Sequence, residues 1–271
     1  MYNAKTVSVV MPAYHEAKGI ASVVRSFLSV PEVDQVIVAD NNSSDNTAEL
    51  AAAAGATVVH ESRRGYGYAS QAALQAANCD YVIIVESDCT FRAEDVYKFL
   101  AYAGEFDVVF GTRTAKSCIW EGSNMGPFLR YGNVAVAKLL EYLHNGPCLT
   151  DVGCTYKLLS RDALQHLIPM CTVGKSHFSP ELMMLAIRTK LNCVEIPVHY
   201  QPRTGTSKIT GSTWRAFRLG LRMIAMIVRY RFKHIPHIPP LRDAEPVTGV
   251  ASTTVAEEIG KADSSRAGAR S

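Results

Sequence analysis

Between Thr6 and Phe110 the sequence alternates short apolar runs with segments of helical length. TVSVVM (Thr6–Met11), QVIVA (Gln35–Ala39), TVVH (Thr57–His60), YVIIV (Tyr81–Val85) and DVVF (Asp107–Phe110) read as strands. Glu16–Ser29, Asp45–Ala54, Tyr68–Ala77 and Ala93–Ala103 read as helices between them. A strand that is apolar on both faces has to be covered on both faces, and helical crossovers make neighbouring strands parallel. The expected fold is therefore α/β, a mainly parallel sheet flanked by helices. Further on, Tyr131–Leu143 and Pro180–Thr189 read as helices, Gly153–Leu159 as a strand or turn, and Cys193–Tyr200 as a strand.

In sheets of this kind ligands sit beyond the carboxyl ends of the strands. Those ends are acidic here. Pro12-Ala13-Tyr14-His15-Glu16 follows the first run, Asp40-Asn41-Asn42-Ser43-Ser44-Asp45 the second, and Glu86-Ser87-Asp88 the fourth. Carboxylates gathered at one sheet edge repel one another and need a cation or a hydrogen-bonding ligand between them. Hard oxygen donors suit Mg²⁺ or Mn²⁺, which bind one or two carboxylates together with substrate phosphates. Asp45 has the bland alternative of a helix cap. No GxGxxG follows the first strand and no GxxxxGK[ST] occurs, which disfavours a dinucleotide-binding dehydrogenase and a P-loop kinase. Arg64-Gly65-Tyr66-Gly67 can bring backbone close to a phosphate or ribose ahead of a helix.

Taken in order, VVMPAYHE, VIVADNNSSDNT, RRGYGYA, VIIVESD, DVVFGTR, DVGCTYKLLSRDAL and PRTGTSK resemble the family 2 glycosyltransferases of GT-A fold, and within them the dolichyl- and polyprenyl-phosphate sugar synthases. The resemblance spans roughly residues 6–210. It implies inverting transfer from a nucleotide-diphospho-sugar. On this likeness Pro12, Tyr14, Glu16 and Asp40 line the base and ribose pocket, which Gly65 joins through the loop read above, and Glu86 and Asp88 correspond to the metal-binding Asp-x-Asp. Asp151 corresponds to the acid opening Asp-x-x-Ser-Gly-Phe-Arg, and Arg203 and Lys208 to the basic residues of a late loop. Glu86 stands where Asp is usual, and Cys154-Thr155-Tyr156-Lys157 replaces Ser-Gly-Phe-Arg. A sugar nucleotidyltransferase would open with a Gly-rich, Arg-containing loop, which Pro12–Glu16 is not.

The acceptor decides which further residues matter. A hydroxyl acceptor, on a glycan or secondary metabolite, needs a general base, for which Asp151 and Glu181 are the candidates. A lipid phosphate is already anionic and needs docking cations instead: Arg113, Arg203 and Lys208. A non-catalytic nucleotide-sugar binding protein is the reading from another class, prompted by Glu86.

Charge patterning favours the lipid. The whole chain is +3, yet the stretch from Ile196 to Arg242 has no acid and nine basic residues, which leaves the remainder near −6. Within it Trp214, Phe217, Leu221, Ile224 and Val228 recur at helical spacing, and Arg215, Arg218, Arg222 and Arg229 form a second stripe about a third of a turn away. An apolar stripe with Trp beside an arginine stripe describes a helix at an anionic membrane interface. Packing on the catalytic domain is the alternative, and nucleic acid is disfavoured because no aromatic stacking platform accompanies the charge. No run of about 18 apolar residues signals a membrane span, and Met1–Lys5 leads into strand-like sequence without a secretory signal. The seven scattered cysteines read as reduced thiols. The expected organisation is a catalytic domain over 1–210, a basic amphipathic helix over 211–240 and a disordered tail over 241–271, at the cytoplasmic face of a membrane. The oligomeric state is left open.

Overall fold

A computed structural model describes residues 1–123, 125–203 and 213–235. Its seven strands are β1 (Val7–Ala13), β2 (Gln35–Asp40), β3 (Thr57–His60), β4 (Tyr81–Ile84), β5 (Val108–Thr112), β6 (Lys157–Ser160) and β7 (Cys193–Pro197). They form one sheet in the order β3-β2-β1-β4-β6-β5-β7. β1 pairs in parallel with β2 and β4, β2 with β3, and β5 with β7. β6 runs antiparallel between β4 and β5, so the sheet is mixed, mostly parallel.

Eight α-helices accompany it among the described residues: α1 (Ile20–Leu28), α2 (Thr47–Ala53), α3 (Tyr66–Ala76), α4 (Val96–Ala103), α5 (Pro127–His144), α6 (Arg161–Leu167), α7 (Phe178–Arg188) and α8 (Thr213–Phe232). Alternate residues of the central strands feed two cores. Val9, Met11, Val36 and Val38 pack with α1 and α4, while Val10, Ile37 and Ala39 pack with α3, α5 and α7. This double burial is why the strands read as continuous apolar runs.

Helix boundaries moved where loop chemistry took over. The first helix begins at Ile20 rather than Glu16 because His15 is left-handed (φ 58°) and the Glu16 carbonyl accepts from Gly19 and Ile20. Asp45 lies outside α2 and accepts from the Thr47 amide and hydroxyl at 3.3 and 2.5 Å. α5 starts earlier than its apolar spacing indicates, at Pro127 in the first helical position.

Met1–Leu241 form one compact unit that includes α8. α8 packs through Met223, Met226, Ile227 and Tyr230, while Trp214, Phe217, Leu221, Val228 and Phe232 are exposed. Arg188 closes the far end by donating to the carbonyls of Tyr230, Arg231 and Lys233. The segment 241–271, read as a tail, lies outside the described residues. No helix among them is long and apolar enough to cross a membrane. All seven cysteines are free thiols.

Glu181 is fully buried in α7. Its carboxylate accepts from the amides of Thr172 and Val173 (3.1 and 2.8 Å) and the hydroxyls of Thr172 and Tyr230 (2.7 and 2.6 Å). The loop so held meets the start of α3, where Gly67 donates to the Gly174 carbonyl at 3.1 Å. Glu181→Gln turns an amide donor toward these donors. The expected loss is about 1–3 kcal/mol, or a Tm drop of ~2–4 °C per kcal/mol, with nucleotide binding retained; a melt and a nucleotide titration check both.

Candidate active site

The carboxyl ends of β1, β2 and β4 open on a cavity of about 800 Å³. Pro12 lines it from the end of β1, Tyr14 and Glu16 from the loop that follows, Asn41 from just after β2, Arg64–Tyr66 from the turn into α3, and Glu86–Asp88 from just after β4. Ser87 ties two of these strand ends together by donating to the Pro12 carbonyl at 2.9 Å. Asp40 is next to the cavity rather than on its wall. Its Oδ2 accepts from the Ser43 amide at 3.3 Å, and its Oδ1 is buried without a hydrogen bond.

Sequence reasoning passed over Asn41. Its buried side-chain amide donates to the carbonyls of Glu61 (3.0 Å) and Arg63 (2.8 Å), and its oxygen accepts from Gly65 (2.8 Å). It therefore sets the path of the loop that brings Arg64 to 6.0 Å from the Tyr14 ring centroid. Gly65 is required there: its φ is +151°, and a Cβ would lie 2.0 Å from the Gly174 carbonyl. An Asn among Asp, Ser and Asn reads as turn chemistry, so nothing marked it out.

The acidic edge carries its own compensation. Asp88 Oδ1 accepts from the Thr90 amide (3.1 Å) and hydroxyl (2.5 Å), while Oδ2 lies 3.3 Å from Arg203 Nη1. Arg203 Nη2 donates to Glu16 Oε1 at 2.5 Å. Burial, with Asp88 as neighbour, pushes the Glu86 carboxyl up to about 8 despite Arg113 and Arg203 nearby. Glu86 thus holds its proton at neutral pH.

Arg113 lines the cavity and is gripped by Asp151: Nε to Oδ2 at 2.8 Å, Nη2 to Oδ1 at 3.0 Å. Burial opposes ionisation of Asp151, but Arg113 and the Gly153 amide outweigh it and hold the carboxyl below the usual range. Glu195 steadies this turn by accepting from the amides of Thr150 and Asp151. Asp151 in this arrangement orients Arg113 and is not placed as a base. Glu181 is likewise not on the cavity wall: its carboxylate is taken up by Thr172, Val173 and Tyr230. Lys208 lies outside the described residues.

The far wall, also unforeseen, is apolar. Phe128, Leu129 and Val136 of α5 and Phe217, Leu221 and Ile224 of α8, two helices packed on each other, line it together. Its residues are scattered over two helices that look unrelated in the sequence.

An acidic, arginine-braced edge at the carboxyl ends of a mixed α/β sheet is the arrangement of a GT-A glycosyltransferase. The chain belongs to glycosyl transferase family 2, whose model matches residues 8–168. It is 32% identical over 226 residues to the low-salt glycan biosynthesis hexosyltransferase Agl6 of Haloferax volcanii, covering 80% of this chain but 54% of that protein. It is 30% identical over 210 residues to the dolichyl-phosphate hexose transferase of the same organism, covering 77% of this chain and 88% of that one. The fold matches glucosyl-3-phosphoglycerate synthase of Mycobacterium tuberculosis, solved with Mn²⁺, UDP-glucose and phosphoglyceric acid, with a TM-score of 0.66, 23% identity and coverage of 84% and 80%.

The raised Glu86 carboxyl has a stability consequence. Its folded value, about 8, lies above the ordinary 4.5, so its contribution is complete below the ordinary value and is lost as pH rises through about 8. Between pH 6.5 and 9 the wild type should lose at least ~3 °C of Tm relative to Glu86→Gln, or about 1 kcal/mol in a chain of this size; parallel melts in metal-free buffer test this.

Proposed function

We propose that the chain transfers a sugar, with inversion, from a nucleotide-diphospho-sugar to a polyprenyl phosphate at a membrane surface, using Mg²⁺ or Mn²⁺. The observation that carries this reading is the two-sided cavity: acids and arginines on the sheet edge, apolar side chains from α5 and α8 opposite. A nucleoside diphosphate suits the first side and a lipid the second.

The residues present fit a divalent ion. Asp88 offers a hard carboxylate donor on the cavity wall and Glu86 a second once an incoming cation displaces its proton, and two carboxylates plus substrate phosphates suffice for Mg²⁺ or Mn²⁺. When bound, such an ion neutralises charge on the departing diphosphate. The chain supplies the remaining functions. Pro12, Tyr14, Glu16 and the Asn41-held Gly65 loop receive the nucleoside, with Asp40 behind them. Arg113, its Nε and Nη2 held by Asp151, offers its remaining guanidinium nitrogen to a phosphate oxygen, and Arg203 offers a fork.

Acceptor chemistry follows from what the carboxylates already do. Asp151 is paired with Arg113 and Glu181 is buried among its own donors, so neither candidate base is placed to take a hydroxyl proton. A phosphate acceptor needs no base. The outward face of α8 supports lipid in a second way. Trp214 and Val228, which do not line the cavity, are exposed away from the packed face, with Arg218, Arg222 and Arg229 exposed beside them, as an anionic bilayer interface requires.

The test is transfer from labelled UDP- and GDP-sugars to a short prenyl phosphate in anionic vesicles with Mn²⁺. Label should enter the organic phase and be lost in Asp88→Ala; label passing only to water or to a free hydroxyl overturns the reading. Trp214→Glu combined with Val228→Glu should abolish co-sedimentation with phosphatidylglycerol vesicles while nucleotide binding stays within about twofold, which is under ~0.5 kcal/mol.

A further inference from the structure

Arg203 bridges two acids that arrive from different strand ends. Glu16 follows β1, Asp88 follows β4, and Arg203 comes from the segment after β7. One guanidinium fork spans both, with Nη2 at 2.5 Å from Glu16 Oε1 and Nη1 at 3.3 Å from Asp88 Oδ2. Asp88 has its other oxygen committed to Thr90. The oxygen that Arg203 faces, Oδ2, is therefore the one that Thr90 leaves open toward the cavity.

We propose that Arg203 is an internal counter-ion that holds the metal-site carboxylate of Asp88 until a divalent cation displaces it. This rests on the reading of Asp88 as a metal ligand. Two cations cannot share one carboxylate oxygen at close range without repulsion, so binding of the ion at Oδ2 requires the guanidinium to withdraw. A displaced Arg203 remains at the cavity wall, where a donor diphosphate gives its fork a new anionic partner. Ion and donor therefore assist each other. The ion frees the guanidinium, and the diphosphate offsets the cost of freeing it. Binding of ion alone is weakened by the same contact.

The readout is Mn²⁺ binding, followed by the spin-resonance signal of free Mn²⁺ without nucleotide or sugar. Arg203→Gln should bind Mn²⁺ at least about fivefold more tightly than wild type, which is ~1 kcal/mol. The assistance that UDP or GDP gives to Mn²⁺ binding should shrink by a similar factor. Arg203→Lys keeps the charge but not the fork and should fall between the two. Melting curves of both variants establish that they are folded. Equal or weaker Mn²⁺ binding by folded Arg203→Gln overturns this inference alone. Absence of Mn²⁺ binding in wild type and variant, with and without nucleotide, overturns the metal reading as well. Mn²⁺ binding that survives Asp88→Ala in both backgrounds places the ion elsewhere and also overturns it.

Discussion

Like charge gathered at one sheet edge is the condition the rest of the molecule answers. β1 and β4 are neighbours, and parallel pairing delivers their acidic continuations, Glu16 and Glu86–Asp88, to one cavity. Left alone, the carboxylates would drive these loops apart. Three devices restrain them. Arg203 spans Glu16 and Asp88, Glu86 keeps a proton, and Arg113 stands nearby on its own Asp151 anchor.

The opposite wall is built on a different principle. α8 is apolar on two sides, one packed through Met223, Ile227 and Tyr230, the other turned outward through Trp214 and Val228. A helix that only closed the core would have no use for the second stripe, and large exposed apolar patches mark contact surfaces. Because the same helix lines the cavity through Phe217 and Ile224, the outward surface and the catalytic space share one structural element.

Much of this was legible from residues alone. The strands declared themselves because each is buried on both faces, and their acidic ends were identifiable because ligands collect there. Pro12, Tyr14, Glu16, Gly65, Glu86, Asp88, Arg113 and Arg203 do line one cavity. Asp40 missed the wall by one position, since Asn41 takes it. Glu181 misled because a first-turn acid in an apolar helix looks functional until its long-range donors, Thr172, Val173 and Tyr230, are seen. Asp151 misled because its partner Arg113 lies far away in sequence. The stripe on α8 was correctly seen as apolar, but spacing alone could not say that a second face, centred on Ile227, does the packing.

The contact between Gly67 and Gly174 has a mechanical consequence. A short series of contacts runs from Tyr230 of α8 to Glu181, on to Thr172 and Val173, across the glycine pair, and into the turn that carries Gly65 and Asn41. Backbone meets backbone at the glycine step, with no room for even a methyl group to act as a cushion. Displacement of the outer helix is therefore linked by direct contacts, through the buried Glu181, to the turn that carries Gly65 and Asn41, by a route separate from Glu16, Glu86 and Asp88.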